Sequence, residues 1–154
     1  MEYRTVGKTG IFVSNLCFGT MSFGGNADAE TSKSMFKYCR DTGINFFDTA
    51  DVYSGGRAEE ILGECIAECR NEIVLTSKVF YPTGEGVNDK GLSRRHIINA
   101  VENSLRRLKT DRIEFYFVPV KYLQNFFWKP SIGIWKCQGN TFCNETHFVI
   151  CVSR

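Results

Sequence analysis

The stretch INFFDTA, residues 44–50, is an apolar run that stops on an acid, Asp48. Tyr53 follows five residues later, and Lys78 closes the next apolar run, NEIVLTSK, residues 71–78. These three residue types form an acid–base set. In water a phenol has a pKa near 10 and is a poor acid at neutral pH. A neighbouring ammonium stabilises the phenolate, and a carboxylate keeps that ammonium charged and in place. Together they make a proton donor suited to a carbonyl oxygen. None of the three can deliver a hydride, so reducing that carbonyl would need a nicotinamide cofactor.

The flanking pattern predicts the elements that must bring the set together. YRTVGKTGIFVS alternates around Gly7-Lys8-Thr9-Gly10, which predicts a small β-hairpin. NLCFGT reads as a short strand and DAETSKSMFKYCRDTG as a helix, with Met35, Phe36 and Cys39 on one face and Gly43 as its stop. INFFDTA is the next strand. RAEEILGECIAECR is a helix carrying Ile61, Leu62, Cys65, Ile66 and Cys69 at helical spacing. NEIVLTSK is a third strand. Ser93 then caps a long helix with Ile97, Ile98, Val101, Leu105 and Leu108 inward, and RIEFYFV is a fourth strand. Strands alternating with helices predict βαβ units and a parallel sheet. No Gly-x-Gly-x-x-Gly follows the first strand, which argues against a Rossmann domain. The fold class is therefore α/β, a (β/α) barrel, whose chemistry sits at the C-terminal ends of its strands. Asp48 and Lys78 fall at such ends, and Tyr53 lies just beyond one.

With those residues in place, the chain resembles the aldo-keto reductase family. GKTGIFVSNLCFGTMSFGG, GINFFDTADVYSGGRAEEILGE and LTSKVF look like family segments in family order, and GLSRRHI is similar to the branch containing the potassium-channel β subunits and their bacterial relatives. The resemblance implies a TIM (β/α)8 barrel, here truncated to about its first four β/α units behind the hairpin. It implies Asp48, Tyr53 and Lys78 as three members of a catalytic tetrad, with Tyr53 the proton donor. Gly19, Thr20 and Met21 match the loop against the nicotinamide, and Asn26 stands where that branch often has a cofactor-contacting Gln. The implied cofactor is NADP(H), and the implied reaction is reduction of a small aldehyde or ketone to an alcohol. The alternative is a non-catalytic binding subunit of the channel-β type, or an inert truncated product. At the tetrad's fourth place, where the family has His, or Asn in the channel subunits, this chain has Pro119, which offers neither a side-chain donor nor an N–H. Beyond Pro119 nothing resembles the family's later strands or the loops that grip the cofactor phosphates, so weak or absent cofactor binding and little turnover are expected of the chain.

Composition narrows the partners. A net charge of +2, with no basic stripe interleaved with aromatics, gives no footprint for nucleic acid. Arg94-Arg95 and Arg106-Arg107 read as solvated helix faces, and His96 as a solvated residue at a helix start. No secretory signal and no membrane-length apolar run is present, so the expected location is cytoplasmic, where seven cysteines are reduced thiols. Residues 1–118 hold 15 Lys+Arg and 16 Asp+Glu, whereas residues 119–154 hold 4 and 1. That shift divides the chain into a barrel segment, 1–118, and a divergent tail, 119–154, unrelated to the family. A frameshift, a retained intron or alternative splicing would each create such a junction. Cys137, Cys143, His147 and Cys151 are spaced irregularly for zinc, so no metal site is expected. Open sheet edges at NLCFGT and RIEFYFV would favour self-association unless the tail covers them.

Overall fold

The computed structural model describes residues 1–119 and 147–153. Strand β1 (Tyr3–Thr5) pairs antiparallel with β2 (Phe12–Ser14), Tyr3 lying opposite Ser14. The turn between them needs the left-handed backbone of Gly7 (φ 53°) and Gly10 (φ 75°). The Thr9 hydroxyl locks it by donating to the Val6 carbonyl at 2.7 Å.

A second sheet runs β3 (Phe18–Gly19), β4 (Phe46–Asp48), β5 (Val74–Lys78), β6 (Arg112–Pro119) and β7 (His147–Ser153), in that spatial order. Strands β3 to β6 are mutually parallel, and β7 pairs antiparallel with β6, from Arg112 opposite Ser153 to Pro119 opposite His147. The parallel strands are joined by α1 (Ala29–Asp41), α2 (Arg57–Ile66) and α3 (Arg94–Arg107). This is the alternation expected of the first part of a (β/α)8 barrel. The predicted edge at β6 is not open: β7, drawn from the tail, occupies it.

Local chemistry sets the helix ends. The Asp28 carboxylate accepts from the Thr31 N–H at 2.8 Å, and Ser93 Oγ accepts from the His96 N–H at 3.1 Å, the cap expected there. Gly43, at φ 88°, ends α1 by turning its N–H to the Arg40 carbonyl at 2.9 Å.

Alternation along the strands sorts side chains onto two faces. Phe47, Leu75, Tyr116 and Val118 face the helices and join Phe36, Ile61 and Leu105 in the main core. Phe46, Val74 and Phe115 face the other way and are covered by Val6 and Val13 of the hairpin. The hairpin thus plugs one end of the sheet, and the same face further along carries Asp48 and Lys78. Asp48 sits opposite Thr76, and Lys78 opposite Phe117.

Four side chains depart from their expected places. Met35 and Ile98 are 39% and 36% exposed, because the inward stripes centre on Ser32, Phe36 and Cys39 in α1 and on Ile97, Ala100 and Ser104 in α3. His96 is buried rather than solvated, with Nε2 unpartnered among the described residues; burial holds its pKa below the usual imidazole value. Arg107 does not point to solvent but folds back onto buried Glu59 of α2. Cys65 packs half-buried against the core, as does Cys69, although Cys69 lies past the end of α2. Among the described residues no helix is long and apolar enough to cross a membrane.

Candidate active site

The ends of β4 and β5 place Asp48 and Lys78 side by side, and the turn beginning at Tyr53 brings the phenol over them. Lys78 Nζ donates to Asp48 Oδ2 at 2.5 Å, to the Thr49 carbonyl at 2.8 Å and to Tyr53 Oη at 3.1 Å. The second Asp48 oxygen accepts from Thr76 Oγ1 at 2.5 Å. Both carboxylate oxygens are therefore engaged, and the ammonium is fixed at three points. A charge so held has little freedom to rotate away from the phenol.

Backbone geometry fixes Tyr53. Hydrogen bonding continues beyond β4, with the Thr49 N–H donating to the Thr76 carbonyl at 3.0 Å and the Asp51 N–H to the Lys78 carbonyl at 3.4 Å. After Tyr53 the chain reverses through three left-handed residues, Ser54 (φ 49°), Gly55 (φ 64°) and Gly56 (φ 95°). Ser54 is the costly one, since a Cβ disfavours that region. Its hydroxyl donates to the Phe23 carbonyl at 2.8 Å, which anchors the turn to the loop after β3. Above the set lies a cavity of about 210 Å³ lined by Asp51, Tyr53, Lys78, Tyr81, Phe117 and Pro119 among others.

Behind this cavity is a second polar layer that sequence reasoning missed. Glu59 is fully buried; it accepts from Ser77 Oγ at 2.6 Å and from Arg107 Nε at 2.7 Å. Asp51 is 3% exposed and its Oδ2 has no partner among the described residues. Desolvation, and then the Glu59 carboxylate, push the Asp51 carboxyl up to about 7, with Arg107 opposing. The enclosed Tyr116 phenol is held well above its ordinary value by desolvation, then by Asp51 and Glu59. The signal for this layer was an acid at 51 and another at 59 flanking the tyrosine, but their partner lies in α3, 48 positions beyond Glu59.

The sequence model of the Aldo/keto reductase family matches residues 15–120, which contain this whole site. The chain belongs to the aldo-keto reductase family. Among relatives, it is 46% identical over 121 residues to a protein of Arabidopsis thaliana named "Probable voltage-gated potassium channel subunit beta", covering 76% of this chain and 37% of that one. It is 42% identical over 127 residues to an uncharacterized oxidoreductase of Bacillus subtilis, covering 75% and 39%. Among solved structures it resembles the holo form of an aldo-keto reductase from Bacillus halodurans, with a TM-score of 0.68 and 36% identity over 75% of this chain and 39% of that one. The chain thus spans well under half the length of these relatives.

In this aldo-keto reductase, the residues expected at a nicotinamide surround Asp48. Gly19 lies opposite Asp48 on β3, and a Cβ built there would meet nothing within 4 Å, so the space beside it is open to a flat ring. Thr20 is buried and donates to the Asp48 carbonyl from both N–H (2.9 Å) and Oγ1 (3.1 Å), tying the loop to the acid. Met21 is 71% exposed at the loop's crest. The open face and the exposed thioether fit such a group. Asn26 stands apart on the exposed loop that follows β3. Pro119 ends β6 at the cavity wall, offering only ring carbons and a carbonyl. Among the described residues no group of three or more His, Cys, Asp or Glu could hold a metal; Cys137 and Cys143 lie outside them.

Proposed function

We propose that Asp48, Tyr53 and Lys78 are the proton-donating part of an NADPH-dependent carbonyl reductase site for small aldehydes or ketones. The observation that carries this reading is the 3.1 Å contact of Lys78 Nζ with Tyr53 Oη at the floor of an open cavity. Tyr53 gives its hydroxyl proton to the carbonyl oxygen, Lys78 stabilises the phenolate left behind, and Asp48 holds Lys78. The cofactor, when bound, supplies the hydride that completes the alcohol. Gly19, Thr20 and Met21 would lie against its nicotinamide, with Asp48 beside them, and Asn26 would contact the cofactor. Residues 1–118 form the barrel segment, and 119–154 a tail of separate origin.

Pro119 leaves the carbonyl oxygen with one donor where two would fix its direction, so turnover by this chain is negligible. The resemblance to a protein named as a channel subunit supports a second reading, in which the site binds cofactor without turning over substrate. NADPH oxidation with a panel of aldehydes decides among these. Turnover should stay far below about 1 per second, an ordinary enzyme rate. A residual oxidation, followed for hours at high protein concentration, should vanish in Tyr53→Phe. Oxidation that persists in Tyr53→Phe removes Tyr53 as the donor. Ordinary turnover that vanishes in it refutes only the loss assigned to Pro119. Saturable NADPH fluorescence with no oxidation at all favours the binding reading.

A further inference from the structure

We propose that Asp51 is a positioning residue of the Tyr53–Lys78 pair: an uncharged carboxyl group in the cavity wall, almost wholly removed from water, whose ionisation changes the charge that pair experiences. The inference rests on the reading of Tyr53 and Lys78 as a proton-donating pair, and it concerns a residue with no part in the set of three.

The argument is one of counting charges in an enclosed space. Asp51 comes from the loop between β4 and Tyr53, Glu59 from α2, Arg107 from α3, Tyr116 from β6 and Lys78 from β5. Three of these groups are acids, and all three are almost wholly removed from water: Asp51 at 3%, Glu59 at 0% and Tyr116 at 0%. Two cations face them, and both are committed. Arg107 directs Nε and an Nη, each at 2.7 Å, to the same oxygen of Glu59. Lys78 is held by Asp48, the Thr49 carbonyl and Tyr53. No cation remains for Asp51: beyond the Val52 N–H its carboxyl has no donor among the described residues, and its Oδ2 lacks any partner there. An unpaired buried carboxylate is strongly disfavoured, so the group takes a proton instead.

Uncharged, Asp51 leaves the Lys78 ammonium to be divided between Asp48 and Tyr53. Ionised, it adds a negative charge on the wall of the same cavity, and that charge draws on Lys78 at the expense of the phenol. The crossover lies near neutrality, since desolvation and then crowding by Glu59 bring the carboxyl to about 7. Asp51 therefore sets whether the pair sits beside a neutral or an anionic wall over the pH range in which a cell operates.

Carbon-13 NMR of the full chain between pH 5 and 9 tests this directly. The Asp51 carboxyl resonance is assigned by its loss in Asp51→Asn, and the Tyr53 ring Cζ by its loss in Tyr53→Phe. The Asp51 carboxyl should titrate near neutrality, and Tyr53 Cζ should step with the same midpoint. That Tyr53 step should be absent in Asp51→Asn and retained in Asp51→Glu, a coupling that a merely space-filling role would not produce. An Asp51 carboxyl ionised throughout the range overturns the proposal, as does a Tyr53 resonance that stays flat or steps equally in Asp51→Asn. Should Asp51→Asn fail to fold, Asp51→Glu assigns the resonance by loss of the aspartate signal, and the wild-type curves then decide, shared midpoints supporting the proposal and separate ones overturning it. Neither resonance needs turnover or cofactor, so failure of the reductase reading, seen in oxidation that survives Tyr53→Phe, is read independently.

Discussion

Replacing Glu59 by Gln should cost the fold about 3 kcal/mol. Glu59 is fully buried, and its partner Arg107 retains 23% side-chain exposure. Removing one partner of a buried pair typically costs about 3–5 kcal/mol, because the survivor stays desolvated without compensation. The residual hydration of Arg107 places the effect at the lower end of that range. Gln keeps the shape and one acceptor, so Ser77 or Arg107 retains a bond, and little of the loss comes from packing. Against a total stability of about 5–15 kcal/mol, this is a large fraction. At a urea slope of about 1–3 kcal/mol per molar, the unfolding midpoint should fall by roughly 1–3 M. The comparison belongs at pH 5, below the value near 7 to which burial and then Glu59 raise the Asp51 carboxyl in the wild type. Glu60→Gln is the control: its partner Arg57 is 48% exposed and Glu60 itself 45%, so less than about 0.5 kcal/mol should be lost. A midpoint for Glu59→Gln indistinguishable from that control would refute the buried pair as a structural necessity.

Asp51 should make stability fall as pH rises. Its folded carboxyl lies near 7 against an ordinary value of 3.8, so the native state binds the extra proton and its advantage disappears between those limits. The whole effect is about 4 kcal/mol at most; it should appear in the difference between wild type and Asp51→Asn melting curves, where the opposing contribution of His96, which destabilises below about 6.5, cancels. A flat difference from pH 4 to 8 would refute it. Gly63→Ala, on helical propensity alone, should gain about 1 kcal/mol. Its Cβ would come within 2.7 Å of the Arg107 carbonyl oxygen and 2.8 Å of Leu108 Cα, backbone that cannot step aside, so urea unfolding should instead show a net loss of about 1–3 kcal/mol. Self-association should remain at micromolar concentration, because β3 and β7 end the sheet order and present unpaired outer edges among the described residues; light scattering showing a single monomer with a cooperative melt would refute that.

What the sequence disclosed about this fold was what depends on near neighbours. Gly7 and Gly10 announced the hairpin turn, Ser93 the start of α3, and the acid closing INFFDTA the end of β4, because each acts through residues within a few positions of itself. The core stripes were legible only where they were apolar. Ser32 and Ser104 are buried at their centres, so a pattern read from hydrophobicity alone drifted towards Met35 and Ile98. His96 and Arg107 were misplaced for a related reason: their burial is decided by elements packed against them. The meeting of Asp48, Tyr53 and Lys78 could be argued from chemistry and from strand ends, but the layer behind it could not. Glu59 and Asp51 look like two more surface acids until α3 delivers Arg107. The covering of the β6 edge was raised only as an alternative, since HFVICVS, residues 147–153, is rich in strand-forming residues but does not say which strand it pairs with.

The order of strands in the main sheet bears on how the molecule is made. From β3 to β7, spatial order is the order of translation. No strand has to wait for a later one before it finds a neighbour, and the hairpin that covers Phe46, Val74 and Phe115 leaves the ribosome before all three. Each β/α unit can therefore dock on what has already emerged, and the growing structure has one advancing edge throughout synthesis. The reactive corner follows the same schedule. Asp48 and Tyr53 emerge first and wait for Lys78, whereas the charge balance around Glu59 stays incomplete until Arg107 arrives at the end of α3. A ribosome paused between those two points would hold a nascent chain in which Asp48, Tyr53 and Lys78 can already meet while Glu59 still lacks Arg107.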